Sequence, residues 1–193
     1  MKLSKKGEYA LRALIDLGIA AEVGRSLLQV TEIAEKEKLP MKFLEQVMQS
    51  LKEGGFIRSQ RGKFGGYRLA RDASQISIGQ VVRLIDGPLA PISCVSQSAY
   101  EPCSCPDEEH CGLRMLMLDV RNAIAGILDR YSLADVVEVT LRRLRRDGIP
   151  LPFSQSSRGL HRPISSRPYL EPAEARLQPV EGLINNLFSD YAI

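Results

Sequence analysis

The stretch that decides the fold runs from Met41 to Ala70, MKFLEQVMQSLKEGGFIRSQRGKFGGYRLA. Its first half carries Phe43, Leu44, Val47, Met48 and Leu51 on one stripe, with Lys42, Glu45, Gln46 and Gln49 opposite, and stops at Gly54-Gly55. Apolar residues three and four apart, ended by glycine, predict a helix over 41–53. The second half holds two strand-like runs, 56–59 and 67–70, around Gln60-Arg61-Gly62-Lys63-Phe64-Gly65-Gly66. That pattern predicts a hairpin with a glycine-rich, basic tip.

Toward the N-terminus, Leu39-Pro40 makes a tight connection to a short helix, TEIAEKEK, for which Thr31 is the expected cap. A first helix is expected from Ser4, as N-cap, to Ala21, with Ala10, Leu14, Leu17 and Ala21 on one face and Gly24 after it. On the other side, Ser77 caps ISIGQVVRLID, which ends at Gly87-Pro88. A long amphipathic helix then carries Leu113, Leu116, Val120, Ala123, Ile127 and Tyr131, a stripe that needs a partner surface. Ser132 caps LADVVEVTLRRLRR, which closes at Gly148-Ile149-Pro150.

The fold class expected is mainly α with a small β-hairpin wing: a winged helix-turn-helix plus a long dimerisation helix. Residues 1–87 form the DNA-binding domain, 88–111 a cysteine-rich loop, and 112–147 the dimerisation helices. Residues 148–193, rich in Ser, Pro and Arg apart from a short amphipathic end, EGLINNLFSDYAI, are expected to be a mobile extension.

In such a fold the second helix of the pair enters the major groove of duplex DNA, and a basic wing reaches the adjacent minor groove. Lys42 and Gln46 are placed to meet bases or phosphate, and Glu45 to accept from a cytosine amino group. Arg61 and Lys63 make the wing basic, with Arg61 suited to a narrow minor groove. The plainer alternative is a solvated amphipathic helix followed by a glycine turn. The loop is no phosphate-binding P-loop, because no Gly-Lys-Ser/Thr follows its second glycine group.

Charge is divided unevenly: residues 1–90 carry +5, 91–150 carry −2, and 151–193 are neutral. Positive charge thus gathers where phosphates would be approached. No run reaches the length a membrane span needs, so a cytoplasmic, unexported protein is expected. The only histidines, His110 and His161, lie near no nucleophile motif, which argues against an enzyme.

All four cysteines, Cys94, Cys103, Cys105 and Cys111, fall within eighteen consecutive residues. In a reducing compartment such clustering points to a metal or redox site rather than disulfides. Soft thiolates suit an iron-sulfur cluster or zinc, and the C-x8-C-x-C-x5-C spacing is not the paired C-x2-C pattern of a zinc ribbon. Direct thiol oxidation is the remaining reading.

Three segments, KLSKKGEYALRALIDL, LEQVMQSLKEGGFIRSQRGKFGGYRLAR and ISIGQVVRLIDGPLAPISC, resemble the Rrf2 family of bacterial regulators over about residues 1–145. The resemblance implies a homodimer on double-stranded operator DNA, joined through the long helix after the cysteine loop. It places base readout on Lys42, Glu45 and Gln46, the minor-groove arginine on Arg61, and phosphate contacts on Lys2, Ser4 and Lys5. It also implies an iron-sulfur cluster, 2Fe-2S or 4Fe-4S, on Cys94, Cys105 and Cys111. Cluster-binding members separate their last two cysteines by five residues, as here. In other branches a partner enzyme regulates the protein. The sequence departs from the pattern in three ways: a longer first interval, the extra Cys103, and Arg114 where some members supply histidine. Cys103, Glu8 of the partner subunit, and His110 are the candidates for the remaining ligand.

Overall fold

A computed structural model describes residues 3–62 and 64–154. Six helices are described, α1 (Lys5–Glu22), α2 (Val30–Glu37), α3 (Met41–Glu53), α4 (Ile78–Asp86), α5 (Gly112–Arg130) and α6 (Leu133–Arg146). Between α3 and α4 lies an antiparallel hairpin of β1 (Ile57–Gln60) and β2 (Gly66–Leu69). The architecture is the winged helix expected.

The core is built on α1, whose Ala10, Ala13, Leu14, Leu17, Ile19 and Ala20 are buried. Leu44, Val47, Met48 and Leu51 of α3 pack into it, as do Ile33 of α2, Val81 of α4, and Leu133, Val137 and Leu141 of α6. Small residues let helices approach closely. A Cβ on Gly7 would lie 2.5 Å from Asp86 Oδ2, and one on Gly18 would meet Val137 at 2.6 Å. Truncating a fully buried side chain such as Leu14 to alanine would cost about 2–5 kcal/mol.

The helix over 41–53 forms with the expected bounds, and Phe43 is half-buried, its ring edge-on to Tyr9 with centroids 5.4 Å apart. Ser4, Ser77 and Ser132 cap α1, α4 and α6 as expected. Two expectations are corrected. Thr31 does not cap α2; Gln29 does, in a reciprocal capping box with Glu32, and Thr31 falls inside the first turn. Glu32 can reach back because Arg25 holds its carboxylate from the other side, at 2.7 Å. The strands are displaced by one residue from 56–59 and 67–70, because the Phe56 N–H is taken by Leu51 O at 2.9 Å, closing α3.

After Gly87, which has φ +84, the chain runs through a 3-10 turn at Ser93–Val95 into the cysteine loop and then α5. No residue of α5 is fully buried. Leu113, Met115, Leu116, Val120 and Ile127 are all exposed, so the expected stripe exists and is uncovered in a single chain. Arg83 of α4 grips Asp129 of α5 through both guanidinium nitrogens, at 2.5 and 2.7 Å.

Of the expected extension, Leu151 and Phe153 pack against the core. Residues 155–193, including the EGLINNLFSDYAI segment, lie outside the described residues.

Candidate nucleic-acid interface and cysteine site

On α3 the buried stripe turns the opposite face outward, and Lys42, Glu45, Gln46 and Gln49 are all exposed. Gln49 donates to Glu53 at 2.6 Å, whereas among the described residues Lys42, Glu45 and the Gln46 side chain have no polar partner. Arg61 stands exposed at the hairpin tip. Lys2 and Lys63 lie outside the described residues.

The hairpin is fixed relative to the helices. Leu28 and Tyr67 exchange backbone hydrogen bonds of 3.0 and 2.7 Å, tying the turn before α2 to β2. Gly66 permits this: a Cβ there would lie 2.5 Å from the Leu28 carbonyl oxygen. An open cleft of about 510 Å³ separates the end of α3 from the sheet, lined by Lys52, Gly55, Ile57, Arg58, Ser59 and Ala70. Sequence reasoning missed Lys52 and Arg58 in this position. The alternation of Ile57 inward and Arg58 outward was the available signal.

The N-terminal residues are engaged within the chain. Ser4 accepts from Gly7 N–H as the α1 cap, and its own hydroxyl and N–H both donate to the Asp86 carboxylate. Lys5 pairs with Glu8 at 2.7 Å, and Glu8 also meets Arg12 at 3.4 Å. The Lys5 hydrogen bond lowers the Glu8 pKa, so that its carboxylate stays ionised.

The four thiols form a chain of neighbours: Cys94 beside Cys103, Cys103 beside Cys105, and Cys105 beside Cys111. Hydrogen bonds from the Cys105 thiol and backbone N–H favour thiolate at Cys103. The same contact with Cys103, with Cys111 on its other side, holds the Cys105 proton and pushes its pKa up to about 12. Desolvation raises Cys94, which is buried beneath the loop, with Cys103 and Glu108 adding to the effect. Among the described residues no three His, Cys, Asp or Glu side chains are arranged to hold a metal ion.

Arg114, in the first turn of α5, braces this loop. It pairs with Glu108 at 3.1 Å and points its Nε at the Cys94 carbonyl oxygen, 3.4 Å away. Tyr100 donates to the same Glu108 at 2.9 Å. His110 is exposed and hydrogen-bonded to Asp107 at 2.8 Å.

A helix with an exposed polar face beside a basic hairpin is the arrangement of a winged helix-turn-helix DNA-binding protein. The chain belongs to the Rrf2 family, described as iron-dependent transcriptional regulators, whose model matches residues 3–139. It is similar to the rrf2-like HTH-type transcriptional regulator of Rhodobacter capsulatus, 38% identical over 70% of this chain and 91% of that one. The HTH-type transcriptional regulator IscR of Serratia proteamaculans is 30% identical, over 71% of this chain and 79% of that one. Among solved structures, CymR, the global cysteine regulator of B. subtilis, aligns with a TM-score of 0.61 and 29% identity. That alignment covers 72% of this chain and 98% of CymR. The protein is thus a transcriptional regulator and not an enzyme. Among the described residues no helix is long and apolar enough to cross a membrane.

Proposed function

We propose that the protein is a cytoplasmic homodimer that binds operator DNA under control of an iron-sulfur cluster held by Cys94, Cys105 and Cys111. Cys103 and the partner subunit's Glu8 compete for the remaining position. The observation that carries this reading is the continuous run of four thiols in one braced loop. The donor set suits a cluster: soft thiolates with two neighbouring cysteines, Cys103 and Cys105, able to exchange places. The described conformation is not converged on one point, so ligation requires the loop to close.

When bound, the cluster supplies a centre sensitive to oxidation, nitric oxide or iron supply. The rest of the mechanism belongs to the chain. The loop starts next to Asp86, which holds Ser4 and so the start of α1, the helix on which α3 packs. It ends at α5, which Arg83 and Asp129 lock to α4. A change in the loop therefore acts on α1 and on the dimer helix together, altering the spacing of two reading heads.

DNA contacts in this reading fall to Lys42, Glu45, Gln46, Arg61 and Lys63, with Lys2, Ser4 and Lys5 near phosphate. Ser4 and Lys5 already have partners within the chain, so phosphate must share or displace them.

Anaerobic purification with visible absorption and iron and sulfide analysis tests the proposal. Single Cys→Ser changes at 94, 105 and 111 should abolish the visible absorption, and Glu8→Ala should weaken or shift it. Full cluster content in Cys105→Ser, with loss in Cys103→Ser, would move the middle ligand to Cys103. Stoichiometric zinc without sulfide would overturn the cluster.

A second reading, direct thiol sensing, is favoured by the thiol contacts as they stand and by the likeness to a cysteine regulator. It predicts protein lacking iron and sulfide whose operator binding changes reversibly with oxidation.

A further inference from the structure

The wing tip carries an aromatic residue that the DNA reading does not use. Phe64 is 84% exposed, the most exposed of the large hydrophobic residues described. A phenyl ring in water forgoes the burial that such a side chain gains elsewhere, so its position at a solvent-facing tip suits it to insertion into another molecule. The tip that presents it is tight. Gly62 has φ +117, Gly65 N–H donates to Gly62 O at 2.9 Å, and a Cβ on Gly65 would collide with the Gln60 carbonyl oxygen. With β2 tied to Leu28, Phe64 sits on a narrow, pre-formed projection.

A second observation gives the chemistry of that other molecule. Arg58 and Arg68 stand directly opposite each other in the hairpin register, on the face away from the buried Ile57, and both are exposed. Like charges directly opposed weaken a hairpin unless an anion lies between or beside them. Among the described residues neither has a carboxylate partner, and Arg61 at the base of the tip has none either. Lys52 and Arg58 continue the basic surface into the cleft beside α3. An apolar wedge flanked by arginines fits the minor groove of duplex DNA, where apolar side chains part base steps and cations meet the phosphates on either side.

We propose that Phe64 enters the minor groove as an apolar wedge that opens the base step beneath it, while the opposed Arg58 and Arg68 hold the adjacent phosphates. The proposal rests on the DNA-binding reading and adds a distortion that base and phosphate contacts alone do not require.

The test uses the full chain and a duplex selected from a random pool by that chain. Wild type should make thymines at the wing position reactive to permanganate. Phe64→Ala should abolish that reactivity and weaken binding roughly tenfold, with the salt dependence unchanged. Phe64→Leu should keep part of both. Arg58→Ala and Arg68→Ala should each lower the slope of log affinity against log salt by about one while leaving some reactivity. Because all three side chains are exposed, these variants should fold. Reactivity that persists in Phe64→Ala, or equal affinity of that variant, would overturn the wedge and assign the ring to a protein partner instead. Failure of wild type to select any duplex would overturn the DNA reading itself.

Discussion

Ser4 and Asp86, 82 residues apart in sequence, are joined by two hydrogen bonds, from the Ser4 N–H at 2.9 Å and from its hydroxyl. The contact fastens the end of α4 to the first turn of α1, and Gly7 makes room for it. Asp86→Ala should destabilise the fold by about 1 kcal/mol, since the bonds are charge-assisted but exposed. It should also reduce the response of operator binding to the state of the cysteine loop. Asp86→Asn should retain much of both. Urea denaturation alongside binding assays of oxidised and reduced protein checks this; an unchanged response in Asp86→Ala would remove the contact from the signalling path.

On α3, proposed above to meet the bases, Glu45→Ala should relax base preference more than it lowers total affinity, because losing a carboxylate also relieves repulsion from phosphate. Arg61→Ala should weaken binding by about 1–3 kcal/mol, most at sites with a narrow minor groove. Site selection and footprinting report both, and an unaltered selected-site profile would take Glu45 out of the readout.

Ile127, 55% exposed on α5, belongs to a stripe with no cover in the single chain. Ile127→Asp should therefore leave the fold of each subunit intact while opposing association, since a charge would be desolvated in the seam. Sedimentation at micromolar concentration should find a folded monomer. A dimer there would place the interface elsewhere.

Asp16 is wholly buried in α1 and paired with Lys36, yet burial lifts its pKa from the ordinary 3.8 to about 6. Lys36 opposes that rise and the charge of Glu37 adds to it. Lys36 shows the attraction in the opposite sense: its two carboxylates raise its pKa despite partial burial, while the fully enclosed carboxylate bears the desolvation cost. Since the folded state binds the Asp16 proton more tightly, its stabilising effect is complete below pH 3.8 and lost as pH rises through about 6. Stability should increase by about 1 kcal/mol from pH 7 to pH 5, and Asp16→Asn should flatten that slope. Glu8, Glu32 and Glu37 have lowered pKa values, so their contributions disappear only at more acidic pH. Urea midpoints at pH 5, 6 and 7 decide it; a wild-type slope of the opposite sign would refute the assignment.

The helix over 41–53 was legible because one stripe, one polar face and a glycine stop coincide in thirteen residues. The serine caps were legible for the same local reason. Gln29 was not, because its capping box depends on Arg25 steadying Glu32 from outside the helix. The charge of Asp16 looked like any other in an amphipathic helix, and only the packing of α2 against α1 encloses it. At the cysteine site the clustering was plain in the sequence. The order of neighbours and the bracing by Arg114 depend on how the loop folds over α5. The pairing of Arg58 with Arg68 rests on the strand register; the two runs read from the sequence, joined end to end, are compatible with it, and only the strand bounds moved by one residue toward the tip.

The family match ends at residue 139, but the packing does not. Beyond α6 the chain turns back so that Leu151 and Phe153 settle on the core, with Phe153 at φ +62 and its ring centroid 5.7 Å from Lys36 Nζ. The ammonium that pairs with buried Asp16 thus also stacks on a residue outside the common domain. A protein ended at Gly148 would be a different object from the intact one: its reading unit would lose a wall, and Lys36 would meet water where it now meets an aromatic face. The departure from the common domain is stitched into the head by its first few residues, on the same ammonium that clasps α2 to α1.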